Sequence, residues 1–330
     1  MIQISRNVFR AAAIVASGVL AMTAQSQLTT QRTYYGVSRA MPITISAPEA
    51  EQGPLTIHLM GVSSETIQQS DEVKPGEVDL ASVFPSLWKN QGQQGVLYAQ
   101  LFAGDSPVGA AIVLQPMISP PIATLDQRSG QVVWPPSQQI FSGYRAYVEK
   151  YAIMHTSEGD ITFRFRPDKA PNTVWNFMTL SDGGFYTDII FHRIVSKPNP
   201  FVIQAGDPRG EGNGGPGYFV DLERSTLPHD FGVLSMARSG DPNSNGSQIF
   251  VCLSREYTKM LDGRYTSFGE AVGGADAILK ISNTELTPEP NSSTPVNPPL
   301  IESVELVDAP PRGTGPDPVK RPEADTPSGR

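Results

Sequence analysis

The chain has 330 residues, enough for two domains, and 39 % of them are apolar, enough for real cores. Its net charge of −8 at pH 7 leaves no basic footprint for nucleic acid and no polybasic patch for a membrane surface. A single cysteine, Cys252, excludes an intramolecular disulfide and a cysteine-built zinc site. The four histidines (His58, His155, His192, His229) form no HxxxH or HExxH pair, so neither a metal nor a cofactor is expected.

The first 26 residues read as an export signal. Arg6 and Arg10 supply a positive start, Ala11 to Ala24 an apolar stretch of small residues, and Ala24–Ser26 or Val19–Ala21 a cleavage site. The apolar run is too short for a stable bilayer anchor, so no integral span is expected after cleavage. The expected location is outside the cytoplasm, with a bacterial periplasm favoured.

Residues 33–142 carry strand signals. Pro42–Ser46 and Leu55–Met60 alternate with period two, and Leu97–Phe102 and Val108–Leu114 flank the turn-rich Gly104-Asp-Ser-Pro107 as a hairpin. Prolines at 116, 120, 121, 135 and 136 are expected to break the rest into short pieces. The expectation is a small β-sandwich-like domain of unassigned role, a site that docks a partner, a cell-wall component or a client chain.

A second domain is expected over residues 144–308. Tyr144–Val148 and Ile161–Phe165 read as strands. Pro171–Leu180 reads as a helix, with proline at the first helical position, Val174, Phe177 and Met178 on one face, and Gly183-Gly184 ending it. Ala275–Ile281 reads as a second short helix and Pro299–Val307 as a closing strand. Thr284–Pro298 is a proline-rich connector, and residues 309–330 read as a disordered tail.

Several motifs are excluded by context. Gly210-Glu-Gly-Asn-Gly-Gly215 matches GxGxxG, but Pro216-Gly217 and a strand-like run follow, so no helix N-terminus can receive a pyrophosphate. Asp207-Pro and Asp262-Gly are turn dipeptides; with Asp221 and Glu223 they read as structural acids. Ser235 and Ser247 lack a GxSxG elbow.

What is left is an arginine, Arg193, inside the apolar run Ile189–Val195, followed by apolar and amide residues in several blocks. These are Phe191-His-Arg193, Phe201-x-x-Gln204-x-Gly-Asp207, Gly212-Asn-Gly-Gly-Pro-Gly217, Gly232-Val-Leu-Ser-Met-Ala237, Asn245-Gly-Ser-Gln-x-Phe250 and Leu261-Asp-Gly263. In order and spacing they resemble the signature blocks of cyclophilins, the cyclosporin-binding peptidyl-prolyl isomerases, over roughly residues 147–308. The resemblance implies a mainly β fold: a closed, eight-stranded antiparallel barrel capped by two helices, with a shallow groove on its outer face. It implies rotation about X-Pro peptide bonds, the substrate being proline-containing polypeptides such as unfolded or exported client proteins.

By the same resemblance Arg193 is the catalytic donor to the prolyl nitrogen. Phe201, Val202, Phe250, Met260 and Leu261 line the proline pocket, and Gln204 and Gln248 hold the peptide. The backbone at Ala237–Arg238 pairs with the substrate chain, and Tyr265 closes one rim. These residue types suit the chemistry. The isomerisation barrier of about 18–20 kcal/mol is amide resonance, so lowering it needs a donor and a grip on the ring, not a nucleophile. Four positions depart from the family pattern. The Ser196–Pro200 loop is longer, Arg238 stands where asparagine is common, Met260 where tryptophan is common, and Tyr265 where histidine is frequent. Methionine has no indole N–H to offer cyclosporin, so weak binding of that drug is expected. The alternative reading is a scaffold that binds proline segments with little turnover.

Overall fold

The computed structural model describes residues 27–46, 53–89 and 95–322. The export signal expected over residues 1–26 lies outside the described residues, as do residues 323–330 of the expected tail. In the N-terminal half the strands are β1 (Leu28–Thr30), β2 (Tyr34–Gly36), β3 (Pro42–Ile45), β4 (Leu55–Met60), β5 (Thr66–Gln69), β6 (Gly76–Asp79), β7 (Leu97–Ala103), β8 (Ser106–Ile118), β9 (Thr124–Leu125), β10 (Val132–Val133) and β11 (Phe141–Val148). Two one-turn helices, α1 (Leu80–Val83) and α2 (Ser86–Lys89), lie between β6 and β7. An antiparallel sheet of order β1-β3-β6 and a six-stranded sheet of order β2-β11-β8-β7-β4-β5 enclose one core, with Leu28, Ile43 and Ile45 from the first sheet and Ile57, Leu101, Ile112 and Tyr144 from the second.

The central strands of the six-stranded sheet are buried on both faces. Along β7 and β8, Leu97, Ala99, Ile112 and Leu114 enter this core, while Tyr98, Ala111 and Val113 enter the core of the second half. Period-two alternation thus sorts one strand's side chains between two cores. Pro116 does not break β8, contrary to the expectation. The strand continues to Ile118, because β11 shifts register opposite the proline, between Phe141 and Tyr144. Gly143 makes this possible: its φ is +129°, and a Cβ there would stand 2.0 Å from the Tyr35 carbonyl oxygen.

The second half contains β12 (Lys150–Thr156), β13 (Ile161–Phe165), α3 (Pro171–Asp182), β14 (Ile189–Ile190), β15 (Arg193–Val195), β16 (Val202–Ala205), β17 (Val233–Met236), β18 (Ile249–Cys252), α4 (Arg255–Thr258), β19 (Ser267–Gly273), α5 (Ala275–Ser282) and β20 (Leu300–Asp308). Its antiparallel sheet has the order β14-β20-β12-β13-β19-β17-β18-β16-β15. The resemblance implies eight strands, and nine segments occur. The two outermost, β14 and β15, are one run interrupted at Phe191-His192, so the sheet's two ends meet within a single stretch of chain and the sheet curls on itself. Val174, Phe177 and Met178 of α3 and Ala277, Ile278 and Ile281 of α5 fill its core. The start of α3 is capped by Glu223, which accepts from the Asn172 and Thr173 amides at 3.0 and 2.7 Å.

Two expected boundaries need correction. Residues 144–148 do not open the second domain; they complete β11 in the first, and only Glu149 separates β11 from β12. Tyr144 and Ala146 face the N-terminal core and Tyr147 faces the barrel, but the strand's backbone pairs with β2 and β8, which places it in the first sheet. Residues 309–322 are not a disordered tail but a strap over both halves. Arg312 pairs with buried Glu149 at 3.0 Å and lies over the Tyr98 ring at 3.6 Å. The Val319 amide donates to the Ala271 carbonyl at 2.8 Å, and Arg321 donates to that of Leu253 at 2.8 Å. Proline-rich, charged composition suggests solvation; long-range partners supply the ordering free energy that local sequence lacks. Among the described residues no helix is long and apolar enough to cross a membrane.

Candidate active site

The strands around Arg193 alternate in the way a barrel wall requires. Ile194, Ile203, Ala205, Ile249 and Val251 point into the barrel core. Val202, Phe250 and Cys252 belong instead to a separate cluster with Leu227, Val233 and Leu261, against which Phe201, Ala237 and Tyr265 pack. This cluster lies on the outer face of the sheet. Arg193, one residue before inward Ile194, takes the outer parity as well, so the charge sits in the apolar run without entering the core.

Arg193 pairs across the hairpin with Gln204, which pairs with Phe250. Its Nη1 donates to Gln204 Oε1 at 3.1 Å; Gln204 Nε2 donates to Gln248 Oε1 at 3.0 Å; Gln248 Nε2 donates to the carbonyls of Gly212 and Gly214, both at 2.9 Å. A polar chain therefore runs from the guanidinium to the glycine loop along the edge of the apolar cluster. Half-burial pulls the Arg193 pKa below the ordinary guanidinium value, yet arginine starts so high that the group stays charged. Desolvation makes its N–H groups stronger donors to whatever replaces Gln204.

The glycine loop is organised by Asp207, which is 1 % exposed. Its carboxylate accepts from the backbone amides of Arg209, Glu211, Gly212 and Gly214 at 2.6–3.1 Å. Burial alone would raise its pKa, but these amides outweigh that and hold it below the usual carboxylate range. Gly214 must be glycine: a Cβ there would lie 1.9 Å from Asp207 Oδ1.

Phe250 forms the centre of the apolar patch. Tyr265 meets it edge-on, with ring centroids 5.8 Å apart at 81°. Behind it His229, fully buried, stacks at 5.9 Å and 17°. His229 Nδ1 lies 3.0 Å from Asp262 Oδ1, and Nε2 lies 3.0 Å from Ser235 Oγ. Burial lowers the imidazole's pKa. The neutral ring with Nδ1–H donating to Asp262 and Nε2 accepting from Ser235 satisfies both nitrogens. Asp262 also accepts from Arg255 at 3.0 and 2.5 Å. Although burial opposes it, this set of donors holds its pKa far below the usual range.

Of the expected site residues, the structure brings Arg193, Gln204 and Gln248 into one hydrogen-bonded line beside Phe201, Val202, Phe250, Leu261, Ala237 and Tyr265. Two stand differently. Met260 is 64 % exposed on the turn before Leu261 and packs into neither core nor cluster, so it rims the patch rather than lining it. The turn that buries Leu261 points its neighbour outward. Arg238 contributes more than backbone: its guanidinium lies 4.7 Å over the Tyr265 ring and donates to the carbonyls of Arg264 and Ser239. Sequence reasoning does not find His229 and Ser235 as a support for Phe250. Only the spatial pairing of His229 with Asp262, 33 residues on, reveals them.

The family model for "Cyclophilin type peptidyl-prolyl cis-trans isomerase/CLD" matches residues 151–306. A "Peptidyl-prolyl cis-trans isomerase 9" of Schizosaccharomyces pombe is 39 % identical over 163 residues; the match takes in 48 % of this chain and 25 % of that protein. A "Putative peptidyl-prolyl cis-trans isomerase" of Staphylococcus saprophyticus is 33 % identical over 186 residues, covering 47 % of this chain and 91 % of its own length. A solved cyclophilin-type isomerase of Cryptosporidium parvum aligns with 49 % of this chain and 99 % of its own, at 32 % identity and a TM-score of 0.44.

Proposed function

Because the chain belongs to the cyclophilin-type peptidyl-prolyl cis-trans isomerases, we propose that its second half catalyses rotation about X-Pro peptide bonds and that the whole protein assists the folding of exported polypeptides. The observation that carries the catalytic part is the line Arg193–Gln204–Gln248 running beside the Phe250 patch. The proline ring packs on Phe250, Phe201 and Leu261, which fixes one side of the rotating bond. As the C–N bond twists, the prolyl nitrogen loses resonance and gains a lone pair. Arg193 then exchanges Gln204 for that nitrogen, a contact available only in the twisted state and so one that lowers the barrier. Gln204 and Gln248 hold the preceding carbonyl and chain, and the backbone at Ala237–Arg238 pairs with the peptide as an added strand. No covalent bond is made or broken.

Export is supported by the basic-then-apolar pattern of residues 6–24. The test of the catalytic role is exchange between cis and trans forms of a proline peptide, followed by NMR with wild type and Arg193→Ala. Acceleration by wild type and its loss in the variant are expected; equal rates refute the assignment.

One observation favours a second reading, a binding module with little turnover. Arg238 is laid over Tyr265, narrowing the rim of the patch. Tight peptide binding without rate enhancement would select it.

A further inference from the structure

The excursion between β8 and β11, residues 119–140, leaves the N-terminal sheets and reaches the rim of the candidate active site. It is fixed to the barrel at three points. The carbonyl of buried Ala123 accepts from Asn243 Nδ2 at 2.8 Å, Gln131 Oε1 accepts from Arg264 at 3.3 Å, and Arg224 lies 5.7 Å over the Trp134 ring. Asn243 lies five residues beyond Arg238, and Arg264 adjoins Tyr265. The arm is thereby joined to the same walls that bound the peptide site.

Two grooves meet there. One, of about 680 Å³, begins at Gln204 and Gln248 and runs between the glycine loop and Ala237–Ser244 to Phe219. The other, of about 410 Å³, begins on Phe219 and continues over Pro120, Pro121, Trp134 and Leu222. Phe219 borders both and is 75 % exposed, and Ile122 on the arm is 58 % exposed. Phe219 thus offers one open aromatic face shared by both grooves.

We propose that the arm extends the substrate site: a polypeptide whose proline sits on Phe250 continues past Phe219 and lays its apolar residues on Pro120, Pro121 and Trp134. The occupant is the substrate chain because the second groove adjoins the first at Phe219, and the first starts at the glutamines holding the peptide. Exposed Pro120 with half-buried Pro121 and Trp134 also form the kind of groove that receives extended chain. The N-terminal half thus biases the enzyme toward long, unfolded, apolar substrates. This rests on the isomerase reading above.

The experiment compares a short proline peptide with an unfolded protein whose refolding is limited by proline isomerisation, using the full chain. Trp134→Ala is expected to leave the short-peptide rate within about twofold and to lower catalysed refolding at least about fivefold, the loss of one aromatic contact. Trp134→Phe, which keeps an aromatic face, is expected to restore most of it. Unchanged refolding in Trp134→Ala overturns the proposal, as does an equal loss on both substrates. A Trp134→Ala chain that sediments at half the wild-type mass also overturns it, since the face would then belong to a second copy. Arg193→Ala separates the two readings. If it leaves both rates intact the isomerase assignment fails, while titration of the unfolded protein onto Arg193→Ala with and without Trp134→Ala still reads the arm: weaker binding in the double variant supports it and equal binding overturns it.

Discussion

Arg193 and Gln204 face each other across the β15–β16 hairpin, and the guanidinium donates to the amide oxygen at 3.1 Å. The partner of the donor is neutral and is itself held by Gln248. A carboxylate there would hold the guanidinium in an ion pair that a peptide nitrogen could not displace; an amide releases it at little cost. In the proposed mechanism Gln204 therefore aims the arginine without capturing it. Gln204→Leu should lower kcat/KM on a proline peptide by about 10- to 100-fold, and Gln204→Glu should also lower it while leaving stability nearly unchanged. Peptide exchange rates by NMR check both; a Gln204→Glu enzyme with full activity would contradict the argument.

Met260 is exposed at the rim beside buried Leu261. It offers no N–H, so cyclosporin should bind weakly. Met260→Trp should tighten binding by about tenfold or more, the value of one hydrogen bond with added aromatic contact, and should change peptide turnover much less. Titration of the drug against both proteins measures this, and nanomolar binding by wild type would count against it.

His229 sets a pH dependence of stability. Its folded pKa is lowered by burial, so the unfolded chain takes up a proton first as pH falls through the ordinary imidazole range near 6.5. The unfolded state then binds more protons than the folded one, and stability falls with pH. The ring's polar partners are Asp262 and Ser235, and the charged group behind them is Arg255, bonded to Asp262 and to the His229 carbonyl. His192, also desolvated, acts with the same sign, whereas His155, raised by its bond to Asp160, acts with the opposite sign. Lowering pH from 7.5 to 5.5 should reduce Tm by about a few degrees, and His229→Gln should shrink that drop. Thermal melts at the two pH values decide it.

Arg312 and Glu149 join the C-terminal strap to the single residue between the two halves. Glu149 is 6 % exposed, and burial raises its pKa against the pull of Arg312. Arg312→Ala would leave a buried carboxylate unpaired and should destabilise the protein by about 3–5 kcal/mol, whereas Arg312→Met with Glu149→Leu should recover much of the loss. Urea unfolding of the three proteins tests the pair. A double variant no more stable than Arg312→Ala would show that the strap acts through its other contacts.

The blocks from Phe191 to Gly263 make the family, the barrel and the line of Arg193, Gln204 and Gln248 legible in the amino-acid order alone. They are local, and each carries a residue type its chemistry requires. Pro171 and Gly183 mark the ends of α3 for the same reason: capping is decided within a few residues. Periodicity also locates the main strands of the N-terminal half. It cannot tell that β7 and β8 face two cores at once, nor that Tyr144–Val148 belongs with them, because a buried strand reads alike whichever neighbour covers it.

The remaining features depend on pairs far apart in the chain. His229 meets Asp262, Arg312 meets Glu149, and Ala123 meets Asn243, across 33, 163 and 120 residues. Each residue alone looks like a turn, a tail or a loop, since its role comes from desolvation and a partner that folding brings to it. The chemistry of the groove is thus written in short local blocks. Long-range packing sets what stands behind Phe250, what straps the halves together, and that the arm of the first half ends beside the site of the second.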